Sequence, residues 1–177
     1  MPPEKRSPKR VVFIGAECTG KTTIANEIAR RYDEPCSSEY VRQYVNALDR
    51  PLAECDLEPI ARGQLRLEDE ASLPAKHFVF HDTNLLSSIL YAEHYFGAHL
   101  SWVDKTFLER SYERYFLCLP DVPWEDDPKQ RVGPEERTKL HSRFQAMLAR
   151  YQIDPIPLSG KIDQRIQTVL MVLRDLQ

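Results

Sequence analysis

The stretch Gly15-Ala16-Glu17-Cys18-Thr19-Gly20-Lys21-Thr22 constrains this chain more than any other. It matches the pattern G-x-x-x-x-G-K-[ST] without departure. The apolar run Val11-Val12-Phe13-Ile14 precedes it. Ile24, Ala25, Ile28, Ala29 and Tyr32 follow at helical spacing. Strand, glycine loop and helix therefore come in the order that builds an anion cradle. Gly15 and Gly20 permit backbone angles and close approach that a side chain would block. The N–H groups of the loop then turn inward toward phosphate oxygens, and the N-terminus of the helix adds its positive dipole end. Lys21 supplies a mobile charge for β- and γ-phosphates, and Thr22 a hydroxyl ligand for Mg²⁺. The expected nucleotide-binding set is Gly15, Ala16, Glu17, Cys18, Thr19, Gly20, Lys21, Thr22 and Thr23. The Glu17 carboxylate should point away from the phosphates. Cys18 sits where a helix N-terminus can lower a thiol pKa, or is simply a small residue that fits.

A phosphate loop of this kind needs a parallel sheet behind it, and the remaining sequence supplies one. Strands are expected at 10–14, 35–38, 77–81, 115–119 and 156–158. Helices are expected at about 21–32, from Glu39, and at 57–72, 83–96, from Ser101 as N-cap, 134–151 and 161–176. Gly97 reads as a C-cap, Pro134 as a first-turn residue, and Pro157 places the last strand at a sheet edge. The last helix should turn Ile162, Ile166, Val169, Leu170 and Leu173 inward. Alternating strands and helices predict a three-layer α/β/α sandwich with a five-stranded parallel sheet in the order 2-3-1-4-5. This is the fold of P-loop NTPases and nucleoside kinases. The 177 residues suit one such domain over 10–177, after a flexible basic tail over 1–9.

Composition narrows the function. The formal net charge is −3, so the basic excess of a nucleic-acid binder is absent. No apolar run approaches the ~20 residues of a membrane span, and no apolar segment follows the basic N-terminus to make a secretory signal. Cys18, Cys36, Cys55 and Cys118 are scattered without a CxxC pair, which suits free thiols in the cytoplasm.

Ligands of such sheets lie at the carboxyl ends of the strands. Strand three delivers Asp82, in FVFHD, where a carboxylate can hold Mg²⁺ or accept a hydroxyl proton; the same position would let it cap the next helix. Strand two delivers Glu39, in SSEYVRQY, facing an acceptor: it can bind ribose hydroxyls, take the proton, or simply favour a helix start. Arg42 and Tyr44 can line the same cleft, or Arg42 can sit on a solvated face. The polar stretch at about 121–134 is expected to be a lid, with Arg131 as an arginine finger in cis and Trp124 stacking on a flat heterocycle or packing under the lid. Gly160 and Arg165 fall where a loop touching adenine would lie.

The segments GAECTGKTTIANEIARRY, SSEYVRQYV, FHDTNLLSSILYAEHYFG and YFLCLPDVPWEDDPKQR, in that order, resemble the ribosylnicotinamide kinase domain of NadR-type bifunctional proteins. The resemblance spans about 10–170; the phosphate loop is shared by many families, and the later segments are more distinctive. It implies ATP, Mg²⁺, and phosphorylation of the 5′-hydroxyl of nicotinamide riboside. By matching positions it gives functional roles to Lys21, Thr22, Glu39, Asp82, Trp124 and Arg131. Asn84 stands where the family commonly has Asp, keeping hydrogen-bonding capacity but losing charge. No adenylyltransferase segment precedes residue 1, so the kinase alone is expected. Other nucleosides, vitamins or small alcohols remain open as acceptors, as does an ATP-dependent switch. No N-K-x-D for guanine is present.

Overall fold

The computed structural model describes residues 7–124 and 133–176. Its strands are β1 (Lys9–Ile14), β2 (Cys36–Ser37), β3 (Phe78–Asp82), β4 (Arg114–Cys118) and β5 (Ile156–Leu158). Its helices are α1 (Lys21–Tyr32), α2 (Tyr40–Ala47), α3 (Leu57–Ser72), α4 (Leu85–Phe96), α5 (Ser101–Glu109), α6 (Pro134–Arg150) and α7 (Ile162–Arg174). The strands form one parallel sheet in the order β2-β3-β1-β4-β5, as expected.

Alternation along β1 explains the layers, because successive side chains leave opposite faces of a strand. Val11 and Phe13 point to the face covered by α1 and α7, where Ile24, Ile28, Ile166, Val169 and Leu173 close over them. Val12 and Ile14 point to the other face, under Leu85 and Leu86 of α4, Val103 of α5, and Leu140 and Phe144 of α6. Phe13 is fully buried and stacks on Phe116 at 5.4 Å. Truncating it to Ala would cost about 3–5 kcal/mol. Edge strand β5 tolerates Pro157 because its outer side needs no ladder donor.

The departures from expectation are local. Lys9 already belongs to β1, so the strand begins inside the expected tail. The cap of α5 is Leu100, not Ser101, which is the first helical residue. Helix α4 starts at Leu85 rather than Thr83: Thr83 adopts φ 69, and Asn84 caps the helix through Leu86 N. Ile162 is 36% exposed, so α7 begins before its apolar stripe turns inward. A 3₁₀ turn at Glu54–Asp56 precedes α3. No helix among the described residues is long and apolar enough to cross a membrane.

Register puts the working residues on one edge. Phe13 pairs with Asp82, and Ile14 with Leu117. The loop after β1, the Glu39 turn after β2 and Asp82 at the end of β3 therefore share the carboxyl edge of the sheet.

Candidate active site

The phosphate loop is built from backbone that only special positions can adopt. Gly15 has φ 142, and a Cβ there would lie 2.7 Å from the carbonyl oxygen of Cys118 on β4. Gly20 has φ 81 and caps α1 without any side-chain hydrogen bond. The first-turn amides of α1, from Gly20 to Thr23, thus lack the oxygen that an N-cap normally supplies. No acidic side chain sits in that turn. The result is an uncompensated positive helix end, the arrangement that takes phosphate.

Two further contacts stiffen the loop. Thr19 Oγ1 and Lys21 Nζ both donate to Ala16 O, at 2.8 Å each. Lys21 is 6% exposed, so its ammonium is held over the loop rather than in solvent.

Asp82 joins this end to the next. Thr22 Oγ1 donates to Asp82 Oδ2 at 2.6 Å, while Oδ1 is buried and has no partner among the described residues. Burial raises the Asp82 pKa; the Lys21 charge opposes that shift, and Glu39 adds to it. A cation beside Oδ1 would offset that burial. Hydroxyl and carboxylate oxygens are the donors Mg²⁺ takes, with water and phosphate oxygens completing its shell. Thr22 and Asp82 fit that ion, and among the described residues no cluster of three His, Cys, Asp or Glu offers another place for a metal.

Beyond Asp82 lies a cavity of about 430 Å³ bounded by α2, α3, α4 and the phosphate loop. Its polar lining includes Glu17, Glu39, Arg42, Gln64, Asn84 and Ser87, and its apolar lining Val41, Ile60, Tyr91 and Phe96. Glu17 thus lies against the cavity. Glu39 accepts from Arg42 Nε at 2.9 Å and stands at the first turn of α2. The adjoining Thr83 holds a left-handed φ that a β-branched residue rarely adopts, a strain of the kind that collects at working sites.

The structure brings together the loop residues Gly15 to Thr23 with Asp82, and Glu39, Arg42 and Asn84 around the cavity. Four of the expected residues have these partners among the described ones. Tyr44 donates its hydroxyl to Asp56 at 2.9 Å, where Arg50 also binds, and does not line the cavity. Trp124 packs on the core with the Arg137 guanidinium 5.4 Å from its ring, also outside the cavity lining. Gly160 gives its N–H to Asp121, at 2.7 Å. Arg165, expected near adenine, is fully buried and donates to the carbonyls of Gly160, Thr19 and Leu119 and to the Asp121 carboxylate. It braces the back of the phosphate loop against β4 and the β5–α7 turn. Asn84 lines the cavity, but its amide is engaged at both ends, by Leu86 N and by the Tyr115 hydroxyl. Arg131 lies outside the described residues.

Arg137 was missed. It sits on α6, is 8% exposed, and donates through Nη1 to Val122 O at 3.0 Å and to Cys18 O in the phosphate loop at 3.3 Å. It brings a guanidinium to the loop from a helix far along the chain. The only sequence signal was its place just after the polar stretch.

Comparison with known proteins bears on this geometry. The family model described as "AAA domain" matches residues 10–165. The trifunctional NAD biosynthesis/regulator protein NadR of Escherichia coli (strain K12) is 23% identical over 174 residues, 95% of this chain and 42% of that protein. A crystal structure of NadR protein in complex with NR superposes with a TM-score of 0.80 at 22% identity, over 97% of this chain and 51% of that one. NadR protein has also been solved in complex with NAD and AMP-PNP. Thymidylate kinase from Ehrlichia chaffeensis matches with a TM-score of 0.69 at 16% identity, over 94% of this chain and 99% of its own. The chain thus spans about half or less of the NadR proteins and nearly all of a free-standing kinase of the same fold. The resemblance to NadR drawn from the sequence segments is borne out.

Proposed function

The chain belongs to the AAA domain family, and from that premise we propose that it is an ATP-dependent kinase that phosphorylates a nucleoside, specifically the 5′-hydroxyl of nicotinamide riboside to give nicotinamide mononucleotide. The carrying observation is the position of Asp82. One of its oxygens is tied to Thr22 of the phosphate loop, and its chain neighbours Thr83 and Asn84 line the separate cavity. A phosphate donor and a small acceptor would meet at that residue. The ligands bound in the NadR structures include NR in one and AMP-PNP in another, the pair this arrangement would hold.

Phosphoryl transfer needs position and charge rather than covalent protein chemistry. The loop amides and Lys21 fix the triphosphate, with the γ-phosphate directed toward Asp82. The acceptor lies in the cavity with its hydroxyl at the Asp82–Glu39 side. The hydroxyl oxygen attacks the γ-phosphorus in line, the bond to the β,γ-bridging oxygen breaks, and ADP leaves. Glu39 or Asp82 takes the hydroxyl proton, and the role falls to Glu39 where Asp82 holds the metal. Mg²⁺ held by Thr22 and Asp82 would neutralise phosphate charge. Arg131, in a lid over about 121–134, belongs to the same proposal as a charge-stabilising finger, as does the division into a basic tail and one kinase domain. A cytoplasmic setting goes with this reading.

The test is a panel of nucleosides, vitamins and small alcohols with coupled ADP detection. Nicotinamide riboside should turn over best, with a product one phosphate heavier. Faster turnover of another nucleoside reassigns the acceptor. Slow ATP hydrolysis indifferent to every acceptor would point instead to a switch.

A further inference from the structure

A phosphate loop works through backbone N–H groups, and each works only if its peptide plane is turned the right way. Glycine leaves the planes beside it freest to rotate. The plane between Thr19 and Gly20 is one of these, with Gly20 at φ 81. It is nevertheless held. Arg165 Nη1 donates to the Thr19 carbonyl at 3.0 Å. The aim of that guanidinium is fixed by Gly160 O at 2.8 Å, by Leu119 O at 3.2 Å and by the Asp121 carboxylate. No peptide bond among the described residues is cis. In a planar trans peptide the C=O and the following N–H point in opposite directions. A Thr19 carbonyl drawn to Arg165 therefore sends the Gly20 N–H the other way. Among the described residues nothing accepts that N–H, and Gly20, which is all backbone, is partly exposed. One peptide earlier, Arg137 takes the Cys18 carbonyl at 3.3 Å. Two successive planes are thus held from outside the loop.

We infer that Arg165 is a positioning residue for the nucleotide: by holding the Thr19 carbonyl it turns the Gly20 N–H toward the phosphates. This rests on the kinase reading above and deepens its nucleotide half, whatever the acceptor. Arg165 is fully buried, so it acts through the loop and touches no ligand itself. Its anchor Asp121 has a side chain 40% exposed, so the hold can be loosened from the surface without opening the core.

The experiment measures nucleotide binding without an acceptor, by calorimetry with Mg²⁺ and either ADP or ATP. Arg165→Met removes every donor and should raise both Kd values about tenfold, the scale of one lost hydrogen bond to a charged group. The factor should be the same for both, because loop amides hold the phosphates that ADP and ATP share. In turnover the loss should fall on the KM for ATP and leave the KM for the acceptor unmoved. Should Arg165→Met not fold, Asp121→Ala carries the test. It keeps the guanidinium but frees it, and should raise both Kd values about threefold. In the wild-type protein, labelled with ¹⁵N, the Gly20 amide proton should move downfield when ADP is added, and less so in Asp121→Ala. A Gly20 proton that ignores ADP would overturn the inference, and this result needs no variant. So would folded variants that bind ADP as the wild-type protein does, or a rise in both KM values together, which a merely structural role would give. If the wild-type protein takes up neither ADP nor ATP, the kinase reading falls, and the inference with it. Uptake of both with a silent Gly20 removes the inference alone.

Discussion

At the phosphate end of the cleft, the groups that face a ligand are backbone amides fixed by glycine and by one helix terminus. At the acceptor end they are side chains drawn from α2, α3 and α4. The first kind of site is indifferent to most side-chain changes but intolerant of backbone ones. The second is open to retuning one residue at a time. A scaffold divided this way keeps its donor chemistry while its acceptor varies, which is how one fold serves many substrates.

The division can be broken most sharply at Lys21, whose ammonium is held over the phosphate loop. Lys21→Ala should lower kcat/KM by about 10²-fold or more, as loss of a positioned electrostatic donor does. Far-ultraviolet circular dichroism should stay unchanged. A fully active variant would contradict the loop's role. Next come the carboxylates where the two ends meet. Asp82→Asn and Glu39→Gln should each slow turnover by about 10²-fold, the lower end of what a general base contributes. If either leaves steady-state rates untouched, the other takes the proton.

A smaller effect isolates the acceptor end. A Cβ on Gly63 would run into the Tyr40 ring, which packs directly on that glycine. Gly63→Ala must therefore displace the Tyr40 ring at the start of α2, next to Glu39. The KM for the acceptor should rise about tenfold, since small misplacements near a reacting group are costly. The KM for ATP should not move, because the contact joins α2 and α3 and not α1. A parallel rise in both would erase the distinction between the ends.

The two ends also differ in how much of them the sequence discloses. The phosphate loop is local: eight consecutive residues, a strand before and a helix after, so its pattern and its geometry are the same fact. Asp82 was legible because an apolar run ending in a carboxylate marks a strand edge, and the helices α1 and α3 were legible from period alone. The acceptor end depends on contacts between distant segments. Gln64 looks like one more polar residue in an amphipathic helix until α2 folds over it. Arg137 reaches Cys18 across 119 positions, and no local pattern announces that. Arg165, expected in a loop, lies in the first turn of α7 with its guanidinium turned to backbone carbonyls, because position along the chain does not tell which way a guanidinium turns. Tyr44 turns to Asp56, and Trp124 takes the packing alternative, because an aromatic near a cleft can as easily close a neighbouring contact.

The smallest effect on rate should come from Glu68, four residues beyond Gln64 on α3, and it tests how far the polar character of that helix burdens the fold. Glu68 is fully buried. Its Oε2 accepts from the Tyr112 hydroxyl at 2.6 Å, Arg110 stands 3.6 Å away, and Oε1 has no partner among the described residues. Burial raises its pKa from 4.5 to about 7, with Tyr112, Arg110 and Arg10 pulling the other way. Below pH 4.5 the folded and unfolded chains both hold the proton, and the group contributes nothing to the pH dependence. Between pH 4.5 and about 7 the unfolded chain releases the proton while the fold retains it, so stability falls as pH rises. Above that window the loss is complete, at about 3 kcal/mol for a shift of this size. Glu68→Gln cannot ionise and keeps an oxygen for Tyr112. Its urea midpoint should match the wild-type protein near pH 4 and exceed it at pH 8, with kcat unchanged. Should the wild-type protein be the more stable at pH 8, the Arg110 pair outweighs burial, and α3 carries its polar face at no cost.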